Sequence, residues 1–516
     1  MRISQPVRAR LHRQLVDRLG RLVDMLCDPA RRRPAVLGLV LLYAVIWTAY
    51  GIVAKSSQDI NADMAEMVVW AHEPAFGYPK HPPLLAWIVR GWFMLFPQAD
   101  WAFIVLAVFT IAAGIYLSFE LAGEWIDGTK RAAVPFLLAV IPFYNFLGLK
   151  FDQNSALMPL WALTILAFVR SLKTSHLGYA ALAGIAAAAA LLTKYWTVFL
   201  LLALGVSALA CWRRYAYFRS AAPWVTALVA GAAVAPHALW LVREDFPTLT
   251  WAVKRAAYSL WEGMEAAFKY GLGTAGYAIV AIGLVLVLVR PSPAGLRDGF
   301  IPRDDRRMAA IVFWLPLAVP FVMAAILKIS MIPLWNMPAL ALLPVMLLGS
   351  PLVKVSRDAV IGMAATAATV TVGAALVSPA VALVILRAGT ENYAQYGRLL
   401  AGELEPEWRQ TAAAPLDLLG GRYVLVATTA FYLRDRPSIY SDFSSYLSPW
   451  VDAGRIARSG IAMVCPADDK ECLQELNARS AGRVGARRRE VELTPHWFGI
   501  SGAPARFVIA TVPPAQ

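Results

Sequence analysis

The chain has 516 residues, of which 59% are hydrophobic and only 16% charged, with a formal net charge of +14. That balance lies outside the globular range and specifies a membrane protein with many spans. It excludes a soluble enzyme, and the distribution of the cations along the chain, taken up below, excludes nucleic-acid binding as the reason for the charge.

Residues 1–33 carry nine arginines against Asp17, Asp24 and Asp28. The leucines and valines among them recur at three and four residues, which suits a helix lying on an anionic inner leaflet; a solvated basic tail fits equally well. The apolar run from Ala35 to Val53 is too extended for a cleaved signal and reads as an uncleaved anchor. Further stretches long enough to cross about 30 Å of hydrocarbon begin at Trp101, Ala132, Gln153, Gly178, Tyr195, Pro223, Gly271, Met308, Pro333 and Ala359. With the first, they make about eleven helical spans, since a membrane span must close its own backbone hydrogen bonds. The alanine-rich run from Ala180 to Ala190 predicts a closely packed helix.

The expected fold class is therefore an all-α polytopic membrane protein with a small C-terminal α/β domain. Its predicted parts are a basic segment (1–33), a membrane domain (34–386) with a long first loop (56–100), and a C-terminal domain (387–516). Alternating spans from a cytoplasmic N-terminus leave about 23 Lys and Arg in inward segments and about 10 in outward short loops, as the positive-inside rule requires. The same alternation places the first loop and the C-terminal domain outside. Within the C-terminal domain, Tyr423 to Val426, Ile461 to Val464 and Phe507 to Ala510 read as strands. Cys465 and Cys472 fall in this outward, oxidising compartment with a polar turn between them, so they are expected to be bonded; Cys27 and Cys211 fall inside and stay reduced.

Most of the unusual polar residues collect at outward helix ends: Asp63, Glu66, Lys80, His81, Asp152, Lys194, Arg243 and Lys328. Asp63 and Glu66 share one face if Asn61 to Trp70 is helical. They read as a general base, as ligands of a divalent ion, or as solvent-facing acids of a wet interfacial helix. In Gly77-Tyr78-Pro79-Lys80-His81-Pro82-Pro83-Leu84 three prolines fix the backbone, which holds Lys80 and His81 in place. His81 is expected to cap a helix starting at Pro82, and His72 with Glu73 to form a surface pair. Trp70 and Trp335 are candidates for stacking on a ligand ring. No Walker loop, dinucleotide fingerprint, Cys-x-x-Cys or His-x-x-x-His is present, so no cofactor is indicated beyond that divalent ion.

An acid about 14 residues before Gly77-Tyr78, followed by His81-Pro82-Pro83-Leu84, resembles the first outward loop of bacterial membrane glycosyltransferases of the dolichyl-phosphate-mannose protein mannosyltransferase-like family, of GT-C fold. That family includes the lipid A aminoarabinose transferases and the rhizobial galacturonosyltransferases. Phe151 to Asn154, Thr193-Lys194-Tyr195 and Lys328 to Pro344 resemble its later motifs in order. The resemblance implies sugar transfer from a polyprenyl-phosphate donor to an extracytoplasmic glycolipid or protein, inverting the anomeric centre. Asp63 is then the base, with Asp152 second and Glu66 as substitute, because Met64 stands where many members have a second acid. Lys80, Lys194, Lys328 and Arg243 are the candidate phosphate cations, and His81, Pro82 and Pro83 position the loop. A transporter or flippase for polyprenyl-linked sugars is the alternative; it requires charges or broken helices inside the spans, for which Pro236-His237 is the one candidate. A membrane scaffold leaves the Lys80 loop unexplained.

Overall fold

The computed structural model describes residues 5–253, 259–327, 331–389 and 393–515. Among the described residues, seven helices are long and apolar enough to cross a membrane: Arg32–Ala54, Asp100–Ala122, Gln153–Thr174, Ala222–Arg243, Trp261–Leu288, Arg307–Ile326 and Arg357–Ala388. A pair of helices, Gly128–Ala139 and Pro142–Leu149, is long and apolar enough only when taken together, and is bent by 78° at its break. The remaining predicted spans fall on the shorter apolar helices Leu177–Thr193, Thr197–Ala210 and Pro333–Leu348. The chain is a multi-pass membrane protein.

Two compact units divide it: Met1–Thr48 with Leu106–Ala375, and Ala49–Val105 with Leu376–Gln516. In the first, the bend of the paired span follows from Pro142, which has no N–H to continue the helix. Asn145 Nδ2 donates to the Ala139 carbonyl at 3.0 Å, and the Tyr43 hydroxyl to the Tyr144 carbonyl at 2.7 Å, so backbone exposed by the break is paired again. The alanine-rich helix packs closely, as its composition predicts. A Cβ on Gly184 would lie 2.7 Å from the Thr226 carbonyl oxygen, while Thr226 Oγ1 donates to the Ala180 carbonyl at 3.0 Å. Arg131, Arg170 and Lys173 pair with Glu120 and Glu124 at 3.3, 2.8 and 2.9 Å.

The second unit joins the first loop to the C-terminal residues. Its strands are β1 (Leu418–Gly421), β2 (Ser438–Ser441), β3 (Ile461–Pro466), β4 (Arg487–Leu493), the two-residue β5 (His496–Trp497) and β6 (Ile500–Ser501), and β7 (Ala505–Val512). A mixed sheet runs in the order β2-β1-β3-β7-β4, with β1 parallel to β2 and β3, and β7 antiparallel to β3 and β4. Its core includes Leu418, Ile461, Met463, Leu476 and Val508. Cys465 and Cys472 are disulfide-bonded with Cα atoms 5.7 Å apart, and Cys27 and Cys211 are free thiols.

The runs at Ile461 and Phe507 are strands, but the one at Tyr423 is not. Tyr423–Tyr432 is a helix, buried from Leu425 to Phe431. A short apolar run with both faces covered has no periodicity to separate strand from helix. The strand lies just before it, in β1, and Gly420-Gly421 ends that strand. Gly421 has φ 143°, and a Cβ there would meet the Val464 carbonyl oxygen at 2.0 Å, so the turn into the helix depends on glycine.

Candidate active site

The first-loop helix Ala62–His72 begins at Asn61, whose side chain accepts the Asp63 N–H at 3.0 Å. Asn61 thus does the capping, and the Asp63 carboxylate, one turn into the dipole's positive end, is left for side-chain partners. Asp63 is half-buried and Glu66 is buried on the same face. Lys80 Nζ donates to Glu66 Oε1 at 2.8 Å, and the two side chains are only 13% and 6% exposed. A buried ion pair adds little net stability and is costly to break; retaining one in this loop points to a requirement beyond folding.

The fourth member came from outside the sequence motifs. Tyr423, the first residue of its helix, donates its hydroxyl to Asp63 Oδ1 at 2.8 Å and lies 3.2 Å from Glu66 Oε2. Its ring centroid is 3.7 Å from Lys80 Nζ, a cation–π contact. Burial pushes the Glu66 carboxyl above its ordinary value, against the pull of Lys80. Burial, and then the charges of Glu66 and Asp63, hold the Tyr423 phenol well above its ordinary value, so it stays a donor.

The proline loop supports this cluster through its backbone. The Tyr78 N–H donates to the His81 carbonyl at 3.1 Å, and the Tyr78 hydroxyl to the carbonyls of Trp70 and Glu73 at 2.7 and 3.0 Å. Pro82 and Pro83 are buried, and the next helix starts at Leu84 with no side-chain cap. His81 therefore does not cap that helix; its carbonyl closes the turn that carries Lys80. Trp70 is 2% exposed and stacked on Tyr78 with centroids 4.8 Å apart, so it is a core residue rather than a sugar platform. Glu73 pairs with Arg455 at 2.7 Å and accepts from Ser438 Oγ, instead of serving His72.

The other unit holds a separate cluster. Asp152 Oδ1 accepts the N–H groups of Asn154 and Ser155, both at 2.9 Å, and with Ser155 completes a capping box on Gln153–Thr174. Lys194 Nζ donates to Asn154 Oδ1 at 2.7 Å and lies 4.3 Å from the Trp335 ring centroid. The ring face of Trp335 is thus met by an ammonium, and its edge by Trp196 at 5.0 Å. Pro236 leaves Ala222–Arg243 continuous, and buried His237 bonds to the Tyr195 hydroxyl at 2.6 Å. Arg243 is exposed in the last turn of that helix, and Lys328 lies outside the described residues. Among the described residues no group of three or more His, Cys, Asp or Glu side chains gathers in a way that could hold a metal.

The fold has a solved counterpart. ArnT from Cupriavidus metallidurans, in a structure bound to undecaprenyl phosphate, superposes with a TM-score of 0.59 at 17% identity, covering 92% of this chain and 98% of that one. The chain shares the ArnT fold. The family described as Dolichyl-phosphate-mannose-protein mannosyltransferase matches residues 80–240, a stretch that includes Lys80 but not Asp63 or Glu66. An Archaeoglobus fulgidus oligosaccharyltransferase, solved with zinc and sulfate, reaches a TM-score of 0.42 at 14% identity over 83% of this chain and 67% of its own. The oligosaccharyltransferase AglB from the same organism, solved with an inhibitory peptide and a dolichol-phosphate, reaches 0.37 at 12% identity, over 84% and 69%. No curated protein sequence matches the chain.

Proposed function

We propose that this protein is a membrane glycosyltransferase that moves a sugar from a polyprenyl-phosphate donor to an extracytoplasmic glycolipid or protein. The observation that carries the reading is the division of labour between two carboxylates three residues apart: Glu66 is buried against Lys80, and Asp63 is half-buried with one hydroxyl on it. It is set in a fold that a protein solved with a lipid phosphate matches over nearly its whole length.

In this reading Asp63 accepts the proton of the acceptor hydroxyl while that oxygen attacks the anomeric carbon. The bond from that carbon to the phosphate oxygen breaks, the electron pair leaves with the polyprenyl phosphate, and a single displacement inverts the centre. Lys80 supplies fixed positive charge for the departing phosphate. Glu66 keeps Lys80 in place between turnovers. Lys194, Arg243 and Lys328, named on sequence grounds, enter the same reading as candidate phosphate cations, each to be replaced singly by alanine.

Mass spectrometry of envelope glycolipids and glycoproteins from a deletion strain tests this. One glycan modification should disappear and its polyprenyl-phosphate donor accumulate, with the wild-type gene restoring the pattern and Asp63→Asn failing to. An unchanged glycan profile would refute a transferase. Orientation is tested separately: alkaline phosphatase should be active when fused after Ala412 and inactive when fused after Arg214. The reverse result would put the cluster in the cytosol, away from the proposed acceptor.

A further inference from the structure

Tyr423 belongs to none of the motifs that suggested a transferase, yet its side chain is the one that touches all three of the others. The hydroxyl has a single proton to give. It lies nearer Asp63 Oδ1, at 2.8 Å, than Glu66 Oε2, at 3.2 Å, and Glu66 already has Lys80. The shorter bond therefore goes to Asp63. The ring meanwhile faces the Lys80 ammonium, so one residue bears on both the acid and the cation.

Tyr423 is fixed from behind. Its N–H donates to Asp442 Oδ1 at 3.1 Å, and Gly421 sets the turn that delivers it. Arg422, just before it, chelates Asp469 and donates to Glu471 at 2.7 Å. Such a backbone allows the hydroxyl little freedom to follow a moving partner, which is what orientation of another group requires.

We propose that Tyr423 is a positioning residue of the transfer reaction, supplied by the C-terminal segment, whose hydroxyl orients the Asp63 carboxylate toward the acceptor while its ring steadies Lys80. This rests on the function proposed above and extends it: the C-terminal residues complete the catalytic cluster rather than only covering it. A hydroxyl bonded to a carboxylate favours the ionised form, so its removal raises the pH at which Asp63 becomes competent. Among the described residues, the charged and titratable groups on these elements include Glu66 and His72 on the Asp63 helix, Lys80 on the proline loop, Arg90 on Leu84–Leu95 and bonded to the Ala71 carbonyl, and Tyr423 and Tyr432 on Tyr423–Tyr432. Arg422 is engaged with acids of its own. None of these changes when the Tyr423 oxygen alone is deleted.

The test compares Tyr423→Phe, which keeps the ring on Lys80, with Tyr423→Ala, which removes both, in the full-length protein in detergent. Isotope-edited infrared difference spectra, referenced to Asp63→Asn, read the titration of Asp63 whether or not transfer is assayed. Tyr423→Phe should move it up by about one unit or more, lower kcat about tenfold and shift the acid limb of the rate profile in step, with the donor KM unchanged. Tyr423→Ala should in addition raise the donor KM. An unmoved Asp63 titration in Tyr423→Phe overturns the proposal, as does a fall in kcat without a shift of the acid limb, which marks mere packing. A shifted titration combined with full activity in Asp63→Asn would sink the assignment of Asp63 as the base, and the positioning role with it.

Discussion

Aspartates at helix starts are put to two uses in this chain. Asp152 is itself the N-cap: its Oδ1 accepts the N–H groups of Asn154 and Ser155, and its Oδ2 accepts from the Asn154 side chain at 3.3 Å and lies 4.0 Å from Lys150 Nζ. Asp63 lies two residues past a different cap, Asn61, and its carboxylate meets a phenol. Asp59 belongs with Asp152: its Oδ2 accepts the N–H groups of Gly397 and Arg398, at 2.7 and 3.3 Å, at the start of Gly397–Thr411. An acid motif in a sequence therefore says little until the cap is known, because lone pairs taken by backbone N–H groups are not open to a substrate.

The comparison can be broken most directly at the ion pair. Lys80→Ala leaves the buried Glu66 carboxylate without its cation and should cost about 3–5 kcal/mol of stability, most of it recovered in Lys80→Ala/Glu66→Gln. Denaturation of the purified variants reads this, and additive losses would mean that the pair is not coupled. The capping acid Asp59 makes the next prediction. Burial outweighs Arg398 and the backbone donors and raises its pKa to about 7, above the unfolded value of about 3.9. Between those values the folded state holds a proton that the unfolded state lacks. Stability is thus fully present below about pH 4 and falls by at most about 4 kcal/mol as pH rises to about 7. Thermal melts at pH 5 and 8 should show the loss, and Asp59→Asn should flatten it; a melt that rises with pH would show Asp59 ionised in the fold.

Asp63→Asn should lower transfer by about 10²-fold, or about 2.7 kcal/mol of barrier, without unfolding the protein. Asp152→Ala should do the opposite, leaving turnover nearly intact and costing about 1 kcal/mol of stability for the lost cap. Transfer assays paired with melts separate the two; an inactive but stable Asp152→Ala would return Asp152 to the chemistry.

What the sequence allowed one to read follows the same line. The spans were legible because about 20 apolar residues in a row have one physical solution in a membrane. Ala62–His72 was legible from its composition and Lys80 from its prolines. The pairing of Lys80 with Glu66 was not, because a loop motif gives no distances. Tyr423 was hidden in an apolar run that read as a strand, and its partner lies 360 residues away. Trp70 looked like a platform because aromatic residues near a membrane surface are common; only its stack on Tyr78 shows that the ring is occupied.

That 360-residue separation also sets an order of events during synthesis. At about 5–20 residues per second, the first loop leaves the ribosome roughly 20–70 s before Tyr423 does. Through that interval Glu66 has Lys80, but the face that Tyr423 later covers has only solvent or a chaperone. Premature termination after the last span, Arg357–Ala388, but before residue 423 would yield a chain with its membrane helices in place and its loop unfinished, a product that quality-control proteases could recognise by that exposed face.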